Sequence, residues 1–282
     1  MYLERQKNIK FLDKNVVILC EKINNNKDVD PIKKKRLRQL DSYKNAIYPF
    51  LSYLEGSIGN KENNLEREKT IKKESKILKN FFKKAYFNEK FILEEINELI
   101  QIIEEIWDED YRNKEMFFIE ELHKILYQPI KKEKRKSVKD DIIKKAKYYD
   151  ISINSILIYS ILAVLYGNNT IRAIFKFTNS KPIEEIKKIV YNSYNDVYSV
   201  IFILHFNAYI KKFGKKVEYI TFDKSLSTFF EYFKNVETNF IEKNSELYTN
   251  IENIQANKLF PELNDEEIEE IKNYILSYES SY

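Results

Sequence analysis

Two short apolar runs near opposite ends of the chain each end in an aspartate, and this pairing constrains the fold most. The segment LDKN at 12–15 contains Asp13, and the segment ITFDKSL at 220–226 contains Asp223. The apolar residues around both are largely β-branched or aromatic, which predicts two buried strands. In parallel α/β sheets, chemistry collects beyond the carboxyl ends of the strands. Two carboxylates brought together there from distant segments could hold a divalent cation.

The composition permits a folded core and excludes one class of phosphate site. A chain of 282 residues with 43% hydrophobic residues is long enough for one large domain or two modest ones. It contains only 4 glycines and 5 prolines, and neither GxGxxG nor GxxxxGK[ST] occurs. We therefore expect no glycine-rich phosphate-binding loop.

The single cysteine and the hydropathy pattern predict a cytoplasmic protein. Cys20 lies within VVILCEKI, so it predicts a buried core thiol and excludes an internal disulfide. The first residues, MYLERQKNIKF, lack the apolar region of a signal peptide. The longest apolar stretch, 151–167, is interrupted by Ser and Asn, which favours a buried helix over a membrane span.

The middle of the chain is dominated by helical periodicity. Apolar residues recur at spacings of three and four from about 60 to 190. We therefore predict four segments, with helices after Phe230 and an acidic patch at 262–270. These segments are a first core part at 1–60, an all-helical insertion at 61–189, a second core part at 190–235 and a helical C-terminal extension at 236–282.

Two basic runs are candidates for contact with nucleic acid. The first contains Lys33, Lys34, Lys35, Arg36 and Arg38, and the second lies at 131–136. An ordinary alternative is that both runs are solvated helix faces or loops. The sharper hypothesis is contact with a phosphate backbone, whose strength would depend on salt.

Four short motifs follow one another in a recognisable order. They are a strand ending in Asp13-Lys14-Asn15, the segment PFLSYLEG with Glu55, a helix opening at Asn195-Asp196, and a strand ending in Thr221-Phe222-Asp223. This order resembles that of the PIN-domain nucleases over roughly 8–58 and 192–230. The resemblance implies an α/β fold with a PIN-like parallel-sheet core, interrupted by the helical insertion.

The resemblance also implies an activity, a metal and a set of partners. The activity is Mg²⁺- or Mn²⁺-dependent phosphodiester hydrolysis, with RNA favoured over DNA as the substrate. A protein inhibitor and a second copy of the chain are further partner classes, and small nucleases of this kind often act as toxins or defence effectors. The implied ligands are Asp13, Glu55, Asp196 and Asp223, with Asn15 and Thr221 as positioning and substrate-binding residues beside Lys33, Lys34, Lys35 and Arg36.

The chemistry of these residue types agrees with a metal site. Converging carboxylates repel one another, so such a cluster is costly without a cation that offsets the repulsion. Asn15 and Thr221 lie two residues from an aspartate along a strand, a spacing that shares one face. The ordinary alternative is that the acids are caps and turn residues, since Asp196 before an apolar helix would be a good N-cap. Glu120 and Glu121 are rivals of Glu55 for the second carboxylate.

Other enzyme classes fit less well, and a non-enzymatic function stays open. The only two histidines are His123 and His205, and neither stands in an Arg-x₄-His motif or a GxSxG-type context. We interpret His205 as a packing residue. The alternative function is a non-catalytic, helical protein-interaction module on a degenerate PIN scaffold, which metal binding would distinguish from a nuclease.

Overall fold

The structure is a computed structural model that describes residues 8–56, 62–106, 109–211, 217–241, 246–250 and 254–279. It is a mixed α/β protein in which helices predominate. The strands are β1 (Asn8–Leu12), β2 (Asn45–Tyr48), β3 (Val217–Ile220), β4 (Glu237–Ile241) and β5 (Glu246–Asn250). The helices of the first half are α1 (Lys14–Asn24), α2 (Pro31–Leu40), α3 (Phe50–Glu55), α4 (Asn64–Phe81), α5 (Glu89–Glu94), α6 (Ile96–Ile106) and α7 (Glu109–Leu126). Those of the second half are α8 (Arg135–Tyr148), α9 (Ile156–Leu165), α10 (Asn169–Phe175), α11 (Ile183–Lys211), α12 (Lys224–Phe233), α13 (Ala256–Leu259) and α14 (Asp265–Glu279).

The chain forms two compact units, and both are discontinuous in sequence. The first comprises Met1–Asp108 and Ile210–Lys224, and the second comprises Glu109–Tyr209 and Ser225–Tyr282. The helices α4 to α6, which we predicted as the start of a separate insertion, therefore belong to the unit that contains the sheet. Helix α4 packs along α1, because Leu78 lies in the same core as Val16 and Val17.

The first unit contains a parallel sheet with the strand order β2-β1-β3. The register pairs Phe11 with Tyr48 on one side and with Tyr219 on the other. Both faces of β1 are covered, since Lys10 and Leu12 are as buried as Phe11. Such burial is typical of the central strand of a parallel sheet. The two apolar runs that lead to Asp13 and Asp223 are therefore adjacent strands of one parallel sheet, as we expected from the sequence.

The segment after β1 shows how local sequence builds the turn into a helix. Asp13 has extended backbone angles and caps α1, which starts at the next residue. Similarly, Pro49 connects β2 to α3, and Gly56 ends α3 with a φ of +66°. This positive φ favours glycine, since a side chain at Gly56 would be strained there whatever the space around it.

The second unit is built around α9, whose ten residues are all buried. This confirms that the apolar stretch at 151–167 contains a core helix, although the helix itself covers only Ile156–Leu165. No helix among the described residues is long and apolar enough to cross a membrane. Helix α9 packs against α8 and α10. The side chain of Asn168 caps α10 and donates to the carbonyl of Leu259, 2.9 Å away, which ties α13 to this core.

Two expectations about the C-terminal half are wrong. The C-terminal extension is not wholly helical, since β4 and β5 pair as an antiparallel hairpin before α13. The runs ETNFI and ELYTN alternate polar with apolar or β-branched residues, and their polarity concealed this strand pattern. In addition, α11 is a single helix from Ile183 to Lys211, so no helix begins at Asn195-Asp196. Nothing in that stretch breaks a helix, because glycine and proline are both absent from it.

Candidate active site

The candidate site lies where β1 and β3 end side by side. Leu12 pairs with Ile220 in the ladder, so Asp13 and Thr221 leave the sheet at the same level. The backbone N–H of Asp13 still donates to the carbonyl of Ile220, at 3.1 Å. Because β2 and β3 flank β1 on opposite sides, the crevice between β1 and β3 is a topological switch point. Ligands bind at such crevices in open α/β sheets.

Asp13 is the buried centre of this site. Its carboxylate is 3% exposed, and one oxygen accepts from the backbone N–H of Lys14 at 2.8 Å. The other oxygen accepts from the Thr221 hydroxyl at 2.7 Å and from the side-chain amide of Asn15. These three donors fix the orientation of the carboxylate across the two strand ends.

Burial makes the ionised form of Asp13 costly. Burial is the largest of the effects that together raise the pKa of Asp13 from its usual value to about 6, and the nearby charge of Asp223 acts in the same direction. The hydrogen bonds from Thr221, Lys14 and Asn15 act in the opposite direction and lower the pKa. A cation between the two carboxylates would offset both the burial and the repulsion.

Residues 221–223 are attached to the other strand end by Asn15. The Asn15 carbonyl oxygen accepts from the backbone N–H of Phe222 at 3.2 Å, and its amide nitrogen lies 3.1 Å from the Thr221 hydroxyl. The backbone N–H of Asp223 donates to that hydroxyl at 3.1 Å. Asp223 is exposed, so the pair consists of one buried and one solvent-facing carboxylate. The structure thus brings together four predicted site residues: Asp13, Asn15, Thr221 and Asp223.

The basic helix α2 contacts this site through Phe222. The guanidinium of Arg36 lies 5.4 Å from the centre of the Phe222 ring, which is a cation–π contact. Leu37 of the same helix is fully buried in the core against which Phe222 also packs. Helix α2 is therefore packed beside the segment that contains Asp223.

A buried ion pair behind the site was not predicted. The ammonium group of Lys14, directly after Asp13, pairs with Glu74 of α4, and the Ser52 hydroxyl donates to the same carboxylate at 2.6 Å. Lys14 is 9% and Glu74 4% exposed. The available signal was the position of Glu74 between Ile71 and Leu78, on the apolar stripe of an otherwise charged helix.

Glu55 and Asp196 are not part of the contacts described above. Glu55 is the half-buried last residue of α3, in the same unit as Asp13. Asp196 lies within α11 in the second unit, so its predicted role as an N-cap is wrong. Their assignment as metal ligands stays a prediction. Glu121, one of the rivals, is engaged by Lys124 and Lys145, whose hydrogen bonds lower its pKa.

The two histidines belong to the packing of the second unit. His123 is 1% exposed, and its Nδ1 lies 3.1 Å from the backbone nitrogen of Thr178. Burial lowers the pKa of His123, and it lowers that of His205 to about 4. Both side chains are therefore neutral at physiological pH, which agrees with a packing role.

Within the described residues, no three His, Cys, Asp or Glu side chains are grouped so that they could hold a metal ion. The carboxylates that the structure pairs are Asp13 and Asp223, two of the four predicted. Comparisons with protein-family models, curated proteins and solved structures found no match to this chain.

Proposed function

We propose that the protein is a Mg²⁺- or Mn²⁺-dependent phosphodiester hydrolase, an endoribonuclease of the PIN type. One observation carries the proposal: Asp13, Asn15, Thr221 and Asp223 meet at the carboxyl ends of two adjacent parallel strands. The motifs that supply them, Asp-x-Asn and Thr-x-Asp, are those on which the resemblance to PIN nucleases rests. A role as a toxin or defence effector is an analogy within this proposal.

The residues fit a divalent cation. Mg²⁺ usually keeps several waters and is bound through one or two carboxylates together with substrate phosphates. Asp13 and Asp223 would supply the carboxylates, and a cation there would offset the burial and the charge of Asp223 that raise the pKa of Asp13. The bound ion would lower the pKa of a water and stabilise charge on the attacked phosphate.

The residues of the chain have separable tasks in this proposal. Asn15 and Thr221 hold Asp13 in one orientation and keep the loop of Asp223 against it. Asp223 is exposed, so its carboxylate is accessible to a cation and its waters at the crevice. Arg36, held over Phe222, offers positive charge to a phosphate beside the carboxylates.

The test is RNA cleavage by matched aspartate variants. Asp13→Asn and Asp223→Asn keep the side-chain volume but remove the charge, so each should abolish cleavage of RNA in Mg²⁺ or Mn²⁺ buffer. Chelator should have the same effect on the unmodified protein. The control is Asp28→Asn, which changes an exposed aspartate in the segment before α2 and should cleave at the parental rate.

Stability separates a catalytic loss from a folding loss. Asp223→Asn removes one of two repelling charges at an exposed position, so this variant of the metal-free protein should be no less stable than the parent. In Asp13→Asn an amide nitrogen replaces one of the two oxygens that accept hydrogen bonds, so its thermal unfolding is measured beside its cleavage. Cleavage that resists chelator, or the absence of cleavage on every RNA and DNA tried, would contradict the nuclease proposal.

The second candidate is a non-catalytic interaction module on the same scaffold. The observation that favours it is that, in the described ranges, no three acidic, His or Cys side chains are grouped so that they could hold a metal ion. Calorimetric titration with Mn²⁺ distinguishes the two, since the module requires no metal. Binding that Asp13→Asn and Asp223→Asn both remove would support the nuclease.

A further inference from the structure

The cations of α2 divide between two faces of the helix. Pro31, Lys34, Lys35 and Arg38 recur at spacings of three and four, so they share a face. With Gln39 they line a surface groove of about 500 Å³. Arg36 lies on a different face, where it contacts Phe222. The groove face and the face beside the candidate site thus belong to the same helix.

The positive charge of this helix has no paired carboxylate in the part of the chain that the structure describes. Among the described residues, no carboxylate forms an ion pair with the side chain of Lys33, Lys34, Lys35, Arg36 or Arg38. The second basic run differs, because Arg135 pairs with Glu262 at 2.7 Å and lies 5.8 Å from the centre of the Tyr166 ring. Three clustered cations in a groove without a carboxylate in its lining favour an anionic ligand.

We infer that the groove of Pro31, Lys34, Lys35, Arg38 and Gln39 is a phosphate-binding subsite for a single strand of nucleic acid. Lys34 and Arg38 are one helical turn apart, about 6 Å along the axis, so they can contact different phosphates of one strand. Arg38 supplies a planar guanidinium suited to two phosphate oxygens, and Gln39 adds an amide donor. The strand would then run from the groove across α2 to Arg36 and Asp223.

This inference deepens the proposed function and rests on it for the identity of the polyanion. It adds a subsite away from the carboxylates, in which Arg38 and Gln39 take part and in which phosphates are bound without being cleaved. Phosphate contacts of this kind position a strand without reading its sequence. The affinity should therefore depend strongly on salt and weakly on base composition.

The experiment measures RNA binding in chelator, where the proposed cleavage is blocked. The probe is a fluorescein-labelled RNA of twelve uridines, and the readout is anisotropy over a series of NaCl concentrations. The groove variant is Lys34→Gln with Lys35→Gln and Arg38→Gln. The control is Lys69→Gln with Lys76→Gln and Lys79→Gln, three exposed lysines on α4 without an ion pair among the described residues.

The two triple variants remove the same net charge, so they distinguish a groove from general attraction. The groove variant should bind the probe about tenfold or more weakly, and its salt slope should fall by about two. The control should bind within twofold of the parent. Equal weakening in both variants, an unchanged affinity in the groove variant or no binding by the parent would overturn the inference.

Two further measurements keep the result interpretable. Circular dichroism and thermal unfolding should match the parent, because all but one of the altered side chains are exposed and Lys34 is half-buried. Lys34→Arg with Lys35→Arg retains the charge and should retain binding. Binding of the parent to phosphatidylserine vesicles but not to RNA would overturn the inference in favour of a lipid surface. Since Asp13→Asn should bind the probe normally, failure of the subsite and failure of catalysis are distinguishable.

Discussion

At the scale of single residues, opposing effects act on the pKa of Asp13. Burial and the charge of Asp223 raise its pKa, while three hydrogen bonds lower it. The strongest of these bonds comes from Thr221, a residue more than two hundred positions away. The ionisation of Asp13 therefore depends on the docking of β3 against β1.

We predict that Thr221→Val weakens Mn²⁺ binding and moves its pH dependence. Valine keeps the shape but removes the donor, so the pKa of Asp13 should rise further. Because the cation competes with the proton for Asp13, the acid limb of Mn²⁺ binding should move to higher pH by about one unit. Calorimetric titrations between pH 5.5 and 8 measure this shift. Thr228→Val in α12 should leave the titration unchanged, and an unshifted acid limb in Thr221→Val would contradict the prediction.

We expect another buried acid, Glu115, to make the stability of the protein pH-dependent. Glu115 is 7% exposed, and burial raises its pKa to about 7, against hydrogen bonds from Tyr194 and Tyr111 that lower it. The folded state then binds a proton between about pH 4.5 and 7 that the unfolded state releases. This contribution to stability is complete below the unfolded pKa and is lost as pH rises through the folded pKa.

We predict that Glu115→Gln removes this pH dependence. In urea unfolding at a series of pH values, the free energy of unfolding of the parent should fall by up to about 3 kcal/mol between pH 4.5 and 7. The variant should not show this fall. Glu104→Gln, at an exposed position, should retain the parental slope. Parallel slopes for the parent and Glu115→Gln would show that Glu115 does not cause the effect.

At the scale of secondary-structure elements, three helices converge behind the strand ends of the site. Lys14 of α1, Ser52 of α3 and Glu74 of α4 form a buried network that fixes the start of α1, where Asp13 is the cap. A buried ion pair adds little stability over an apolar replacement, but the loss of one partner leaves an unpaired charge. The network thus constrains where α4 can pack.

We predict a marked asymmetry between single and double changes in this network. Glu74→Gln leaves the Lys14 ammonium without a counterion, so unfolding in urea should become easier by about 3–5 kcal/mol. The double variant Lys14→Met with Glu74→Leu should lose clearly less free energy of unfolding than Glu74→Gln. The exposed pair of Lys72 and Glu68 is the control, and Glu68→Gln should cost about 0–1 kcal/mol. A double variant as unstable as Glu74→Gln would contradict this explanation.

At the scale of the whole molecule, the two units have separate cores. Leu78 is fully buried in the first unit, and Leu162 is fully buried in the second. Because domains generally fold as units, damage to one core should be confined to one unfolding transition.

We predict that Leu78→Ala and Leu162→Ala destabilise different transitions. Each change leaves a cavity and should cost about 2–5 kcal/mol in its own unit. Differential scanning calorimetry should show one component displaced in Leu78→Ala and the other in Leu162→Ala. Exposed Leu65→Ala in α4 should displace neither. A single transition shifted equally by both core variants would show that the units unfold together.

The sequence by itself determined the elements whose signals are local. The apolar runs before Asp13 and Asp223 became parallel strands, and the apolar stretch at 151–167 contains the buried helix α9. The pairing of Asp13, Asn15, Thr221 and Asp223 could be predicted because parallel strands end at a common edge. These inferences need only the hydrophobic period of a strand (two residues) or a helix (3.6 residues) and the position at which a strand ends.

Only the tertiary structure decided which partners each buried polar group has. It assigned Glu74 to Lys14, Arg36 to Phe222, and Glu115 to the tyrosines at 111 and 194. It also paired two polar runs as the β4–β5 hairpin. The physical reason is that burial and pairing depend on contacts between segments far apart in the chain. Local periodicity carries no information about which distant side chain supplies a counterion or a hydrogen bond.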